Sequence, residues 1–254
     1  MKVFQKIFLN RNKTFLTAKL LNLLDQLTLL VLSGGFGTRL KSVVSEVPKP
    51  LAPVNGRPFL YYQINNWTSQ GLTKFIFLLF NQSELIINFL TAEKDGILKG
   101  CEVKWVVEPE PMGTGGAISY SVSHLNIEGD FLVTNADTWL GSGINEIINS
   151  KAPSMAVIKV EDSGRYGSVK LSGDQVVSFE EKSDRTDAGW INTGLYKLNT
   201  QIFKTTSEKV FCLEKSIFPA LAKQGYLTAI ELDTDFIDIG IPEDYFHFIK
   251  FVKS

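Results

Sequence analysis

The chain of 254 residues is poor in the residues that carry the commonest kinds of site chemistry. It has two cysteines, Cys101 and Cys212, far apart and in apolar surroundings, with neither a C-x-x-C nor a zinc-ligand spacing. A disulfide scaffold and a zinc or dithiol site are thereby excluded, and a reducing, cytoplasmic setting is expected. The two histidines, His124 and His247, are also far apart. They are read as surface or structural residues, so metal binding or acid–base chemistry centred on histidine is not expected. Net charge is close to nil, at -1 from 26 basic and 27 acidic residues. Nothing marks a nucleic-acid binder, and any anionic ligand must be held by a few local charges. No apolar run is long enough for a membrane span, and no internal repeat, low-complexity tract or linker is evident. What the chain does have is 44% hydrophobic residues, enough for a substantial core.

Residues 1–26 stand apart. Lys2, Lys6, Arg11, Lys13 and Lys19 lie among leucines and phenylalanines, with no acid before Asp25. The polar run Asn10-Arg11-Asn12-Lys13 breaks the apolar stretch that a signal peptide requires. A docked extra helix, a frayed tail or the remnant of an upstream domain is expected ahead of a membrane-surface helix. From residue 27 the pattern alternates. Strand-like runs at 27–32, 74–80, 102–107 and 130–134 are separated by helical ones at 57–70, 83–90 and 114–124. Such alternation predicts crossover units, hence an α/β fold with a Rossmann-like, mixed but mostly parallel sheet flanked by helices. Further strands are expected at 154–160, 168–171, 175–180 and 190–197, and helices at 213–223 and 242–252. The simplest organisation is one domain, 27–254, with a first half of about 27–150 and a second of about 151–254.

The strongest signal is LSGGFGTRL at 32–40, followed by VPKPL at 47–51. Glycines directly after a buried strand let backbone N–H groups turn toward an anion. In an open parallel sheet, ligands bind off the carboxyl ends of the strands, where this loop falls. Arg39 adds a rigid cationic fork and Lys49 a mobile point charge. A phosphate loop of the G-x-x-x-x-G-K type is excluded because no Gly-Lys is present, and a dinucleotide G-x-G-x-x-G begun at Gly35 meets Leu40 where glycine is needed. The combination resembles the signature of the sugar nucleotidyltransferases, G-G-x-G-[ST]-R followed by P-K-P, and the resemblance runs from about residue 27 to the end. It implies a single-domain fold of the glycosyltransferase-A type. It also implies an NTP and a sugar 1-phosphate as partners, and nucleotide contacts from Leu32, Gly34, Gly35, Gly37, Thr38 and Arg39.

The segment EPEPMGTGGA at 108–117 follows a strand and opens a helix. Taken alone it is a glycine-rich helix start, or a place where backbone approaches a flat ligand. It is similar to the family's base-recognition segment, which adds Glu108, Gly113 and Thr114 to the nucleotide site. An ionised glutamate only accepts hydrogen bonds. Guanine offers adjacent N–H donors, whereas uracil and thymine offer one flanked by acceptors, so GTP is favoured.

Asp137 ends an apolar strand, and Asp238 lies between apolar residues in DFIDIGIPED at 235–244. Each alone reads equally as a cap or ion pair and as a cation ligand. Together with the loop they resemble the family's paired aspartates, which share Mg²⁺; Ala136 and Ile241 stand where glycine and threonine are common. RYG (165–167), SFEEK (178–182) and INTGLY (191–196) resemble the acceptor motifs. On that basis Gly167, Glu181, Lys182, Asn192 and Thr193 hold the sugar phosphate. Glu214, in VFCLE (210–214), is read as a helix-start acid rather than a ligand. The strings resemble the heptose-1-phosphate guanylyltransferase branch of the family, with mannose-1-phosphate guanylyltransferases as the near alternative. The implied reaction is an in-line transfer with Arg39, Lys49, Asp137 and Asp238 as catalytic residues and no protein nucleophile. A metal-dependent glycosyltransferase is disfavoured because Asp137-Thr-Trp139 lacks the second acid of a D-x-D. A non-catalytic binding module is the rival of another class. Homo-oligomerisation is left open.

Overall fold

A computed structural model describes residues 27–164, 166–180, 187–204 and 208–253 of the chain, so Arg165, Glu181, Lys182 and the 1–26 extension lie outside the described residues. Strand β1 (Leu29–Ser33) is apolar on both faces because both faces are covered. It pairs in parallel with β4 (Lys74–Leu79) and β6 (Asp130–Asn135), and β5 (Glu102–Val107) pairs in parallel with β4. Side chains alternate between two cores. Leu29, Val31, Phe75 and Phe77 pack with Leu60, Ile64, Trp67, Ile86 and Leu90 of helices α1 (Phe59–Ser69) and α2 (Ser83–Ala92). Leu30, Ile76 and Leu78 face Ala117 and Ile118 of α3 (Gly113–His124) on the other side.

The helix expected over 57–70 starts two residues later. Asn55 and Gly56, both at positive φ (46° and 83°), form a two-residue turn that pairs β2 (Pro53–Val54) with β3 (Arg57–Pro58). An Asn-Gly turn of this kind fixes a hairpin, so Arg57 and Pro58 belong to it and Pro58 caps α1 from outside. At the other end, Leu72 N–H reaches Trp67 O (3.1 Å) and Gly71 N–H reaches Thr68 O (2.9 Å), closing the helix near the expected residue 70.

The second half extends the same sheet, whose order is β5-β4-β1-β6-β11-β8-β12-β10-β9. Here β8 is Ser154–Val160, β9 Ser168–Ser172, β10 Gln175–Glu180, β11 Gly189–Asn199 and β12 Thr228–Glu231. The long β11 runs antiparallel between β6 and β8 and shifts register between Asn192 and Tyr196. Such a bulge re-aims side chains beside a site. A separate ribbon pairs β7 (Thr138–Leu140) with β13 (Phe236–Asp238). The helix expected over 213–223 is two pieces, a π-turn at Leu213–Ile217 and α5 (Phe218–Lys223). Pro219, second in α5, has no N–H to continue the ladder backward. Helices α4 (Ile144–Ile148) and α6 (Pro242–Phe251) complete the described chain.

Candidate functional site

Two cavities, each of about 370 Å³, open side by side at the carboxyl ends of the parallel strands. The first is lined by Leu32, Ser33, Gly34, Gly35, Phe36 and Gly37 after β1, by Glu108 and 111–114 at the start of α3, and by Lys49, Asn135 and Asp137. A Cβ at Gly35 would meet nothing within 4 Å, so the room there is open to a ligand. At Gly37 a Cβ would lie 2.9 Å from Lys49 Cγ, and φ is +62°, so glycine is needed both for the turn and for the lysine stem beside it. The Lys49 Nζ ends 2.9 Å from Asp137 Oδ2, joining two of the four charged residues given catalytic roles from the sequence. Thr38 and Arg39 stand apart from the lining, on an exposed single turn, Thr38–Leu40. The Arg39 guanidinium is turned to the Asp238 loop. The Cβ position of Gly240 is 3.2 Å from Arg39 Nη2 and 2.9 Å from Asp238 Oδ1, so both groups flank one stretch of backbone.

Glu108 is only 7% exposed. Burial raises its carboxyl pKa, partly offset by the Met112 N–H that donates to Oε2 at 2.9 Å. Its Oε1 lies 2.8 Å from where a Gly34 side chain would begin, so Gly34 leaves the carboxylate clear at the back of the cavity.

The glycines of 113–116 have a different cause from close approach to a flat ligand. A Cβ on Gly115 would lie 2.1 Å from the Phe211 ring, one on Gly116 2.3 Å from Lys209 O, and one on Gly113 2.6 Å from Phe211 O. Gly115 and Gly116 also donate their N–H groups to Phe211 O at 3.0 and 3.1 Å, and Phe211 N–H donates back to Met112 O at 3.0 Å. Segment 209–214 thus lies as a strap across the start of α3, and the glycines make room for that strap.

The second cavity is lined by Asn192, Thr193 and Gly194 of the β11 bulge, with Tyr196, Glu214, Gly167, Tyr166, Phe179, Phe236, Thr138, Asn135 and Asp238. Asn192 Nδ2 donates to Tyr196 Oη (2.6 Å) and Asn192 Oδ1 accepts from Gly194 N–H (2.9 Å). Thr193 is buried and its hydroxyl donates to Ala156 O at 2.9 Å, so this side chain is used inside the sheet. Gly167 O accepts from Asn192 N–H at 2.9 Å. Glu214 does begin the π-turn, but its side chain faces this cavity. Glu181 and Lys182, expected here, lie outside the described residues.

The two aspartates are brought together by the β7–β13 ribbon. Asp238 is opposite Thr138, and Ile239 N–H donates to Asp137 O at 3.1 Å. Among the described residues no three His, Cys, Asp or Glu side chains are gathered for a metal ion. Carboxylates carried on neighbouring backbone suit a hard cation whose other ligands are phosphate oxygens and water, as Mg²⁺ commonly has.

The model of the nucleotidyl transferase family matches residues 28–254. The chain belongs to that family. The chain is 35% identical over 226 residues to the D-glycero-alpha-D-manno-heptose 1-phosphate guanylyltransferase of Campylobacter jejuni, covering 87% of this chain and 97% of that one. It is 34% identical to the protein of the same name from Aneurinibacillus thermoaerophilus, covering 85% and 94%. The crystal structure of HddC from Yersinia pseudotuberculosis complexed with GMP-PN superposes with a TM-score of 0.78 at 33% identity, over 89% of this chain and 100% of that one.

In this nucleotidyltransferase, sequence reasoning missed the residue that both cavities share. Asn135 lines each of them, and its side chain fills the place that a Cβ on Gly194 would take. The available signal was an amide ending a buried strand two residues before Asp137. Phe179 and Phe236 were missed as cavity walls because strand aromatics read as core. No helix among the described residues is long and apolar enough to cross a membrane.

Proposed function

We propose that this chain transfers guanylate from GTP to D-glycero-α-D-manno-heptose 1-phosphate, giving the GDP-sugar and pyrophosphate. One observation carries the reading. Two cavities meet at Asn135, one with a buried carboxylate at its back and the other walled by an amide, hydroxyls and aromatic faces, with Lys49, Asp137 and Asp238 at the junction. Glu108 accepts hydrogen bonds from the guanine edge. Its Oε2 retains a lone pair beyond the one used by Met112, so both oxygens can serve adjacent donors. Names of the 35% and 34% identical relatives support the heptose acceptor. Asn192 reads sugar hydroxyls; by family resemblance Glu181 does so too and Lys182 holds the sugar phosphate.

An oxygen of the sugar phosphate attacks the α-phosphorus of GTP. The bond from that phosphorus to the β-phosphate oxygen breaks in line, and pyrophosphate leaves with the electron pair. The attacking oxygen is already ionised, so no protein nucleophile and no general base are required. Lys49 and Arg39 neutralise charge that grows on the phosphates, and the glycine loop positions them. Asp137 and Asp238 would hold a Mg²⁺ ion, which when bound supplies further charge neutralisation and orients the phosphate oxygens. The Lys49–Asp137 ion pair then keeps both groups aimed at the junction before substrates arrive. A reaction that consumes GTP, in a chain whose two cysteines are free, supports a cytoplasmic setting.

The decisive assay is pyrophosphate release with Mg²⁺, crossing GTP, UTP, dTTP, CTP and ATP against heptose-, mannose- and glucose-1-phosphate. Release with GTP and the heptose phosphate above all other pairs is expected. Preference for UTP or dTTP would discard the role given to Glu108, and preference for mannose-1-phosphate would discard the acceptor.

A further inference from the structure

One carboxylate, that of Glu214, stands between polar groups of the two cavities. On the nucleotide side, Thr114 lines the first cavity. Its hydroxyl accepts from Leu213 N–H at 2.9 Å and donates to Glu214 Oε2 at 2.7 Å. On the acceptor side, Tyr196 is 1% exposed, its hydroxyl accepts from Asn192 Nδ2 at 2.6 Å, and it lies beside the Glu214 carboxylate, which lines the same cavity. Burial, with the Glu214 charge beside it, holds the phenol pKa well above its ordinary value of 10.0, so the hydroxyl keeps its proton next to that carboxylate. Asn192 thus bonds to Tyr196, Tyr196 neighbours Glu214, and Thr114 bonds to Glu214, so the carboxylate is where the two sides meet. Glu214 rides on the strap that crosses the glycines of α3, where backbone contacts allow little independent movement.

We propose that Glu214 is a positioning residue that couples the nucleotide site to the acceptor site, setting Thr114 for the nucleotide and the Tyr196–Asn192 pair for the sugar. An ionised carboxylate can accept from both hydroxyls at once, and an amide in its place presents an oxygen to one and a donor to the other. Neither Thr114 nor Tyr196 lines the cavity on the far side. Substituting either therefore tests transmission and not a lost contact. The inference rests on the proposed guanylyl transfer for the identity of the two ligands alone.

The experiment measures KM for GTP and for heptose 1-phosphate, with equilibrium titration of each ligand, in the wild type, Thr114→Val, Tyr196→Phe and Glu214→Gln, and in each pairing with Glu214→Gln. Thr114→Val is expected to raise the KM of the sugar phosphate by about 5-fold or more, and Tyr196→Phe that of GTP by a similar factor. Neither should add a further far-side change once Glu214→Gln is present. A purely structural loss lowers the fraction of active enzyme, hence apparent kcat, and leaves both KM values in place; thermal unfolding of each variant reports that separately. Far-side KM values within 2-fold of wild type, or far-side effects undiminished by Glu214→Gln, overturn the proposal. If Glu214→Gln does not fold, the two single variants decide it. Should the wild type prefer another NTP or sugar phosphate, the guanylyl reading fails and the same comparison is made with the preferred pair.

Discussion

At the scale of single residues, Glu108 shows how function and stability pull apart. Its folded-state pKa is raised by burial, so the folded protein holds that proton more tightly than the unfolded chain does. The resulting cost to stability begins as pH rises above the ordinary glutamate value and is complete above the raised one. Glu108→Gln removes the cost and still offers an oxygen to Met112 N–H. Its melting temperature should exceed that of the wild type at pH 7, and the difference should vanish on acidification to below the ordinary glutamate pKa. The same substitution places a donor against guanine, and loss of hydrogen bonds to a charged acceptor costs about 1.5–3 kcal/mol. The preference for GTP over UTP should accordingly fall by about 10- to 100-fold. A variant that is no more stable at neutral pH, or that keeps the wild-type preference, would remove Glu108 from the base pocket.

At the scale of elements, the glycine-rich segments divide by what occupies the space a side chain would need. Gly35 faces open room, whereas Gly116 faces the backbone carbonyl of Lys209. A rotamer change can relieve a clash with a ring but not one with a carbonyl, and overpacking of this kind costs about 1–3 kcal/mol. Gly116→Ala should lower the unfolding free energy by about that amount in urea titrations. Gly35→Ala should leave the urea midpoint unchanged while weakening NTP binding. Equal midpoints for the two variants would show that the strap yields. This division also marks what the sequence could reveal. The loop at 32–40 and the two aspartates stand out as local strings, and the structure sets residues 32–37 and Asp137 on the first cavity and Gly167, Asn192 and Asp238 on the second. The strap was not legible, because its cause lies about 100 residues away from the glycines it touches, and a glycine records only that something is close. Helix α1 was misplaced at its start for a local reason, since the Asn55-Gly56 turn is a hairpin signal that outranks Pro58 as a helix start. The β7–β13 ribbon was missed because strands of three residues carry no measurable alternation.

At the scale of the molecule, the chain before and after residue 150 lines adjoining cavities and shares one sheet. β11, from the second half, lies between β6 of the first and β8 of the second, and pairs with both. One core cluster contains Leu30, Ile76 and Val133 from before residue 150 together with Met155, Val157, Tyr196 and Phe218 from after it. Across the junction, the buried Lys197 of β11 donates to Ile148 O at 2.8 Å and Ser150 O at 2.7 Å, closing the carboxyl end of α4. Without the second half, β6 would lose a neighbour along its length and α3 would lose the strap that its glycines accommodate. Neither half retains a closed core, so the two should unfold together. Calorimetry of the ligand-free protein should give one transition over the described fold, with calorimetric and van't Hoff enthalpies equal. GTP alone, though it would contact only the first half, should move that whole transition upward, because a ligand that binds only the folded state stabilises every part that must unfold with its site. Two resolved transitions, with GTP shifting one of them, would mean that the halves are separate cooperative units and that the Thr114–Glu214 link crosses a boundary able to open by itself.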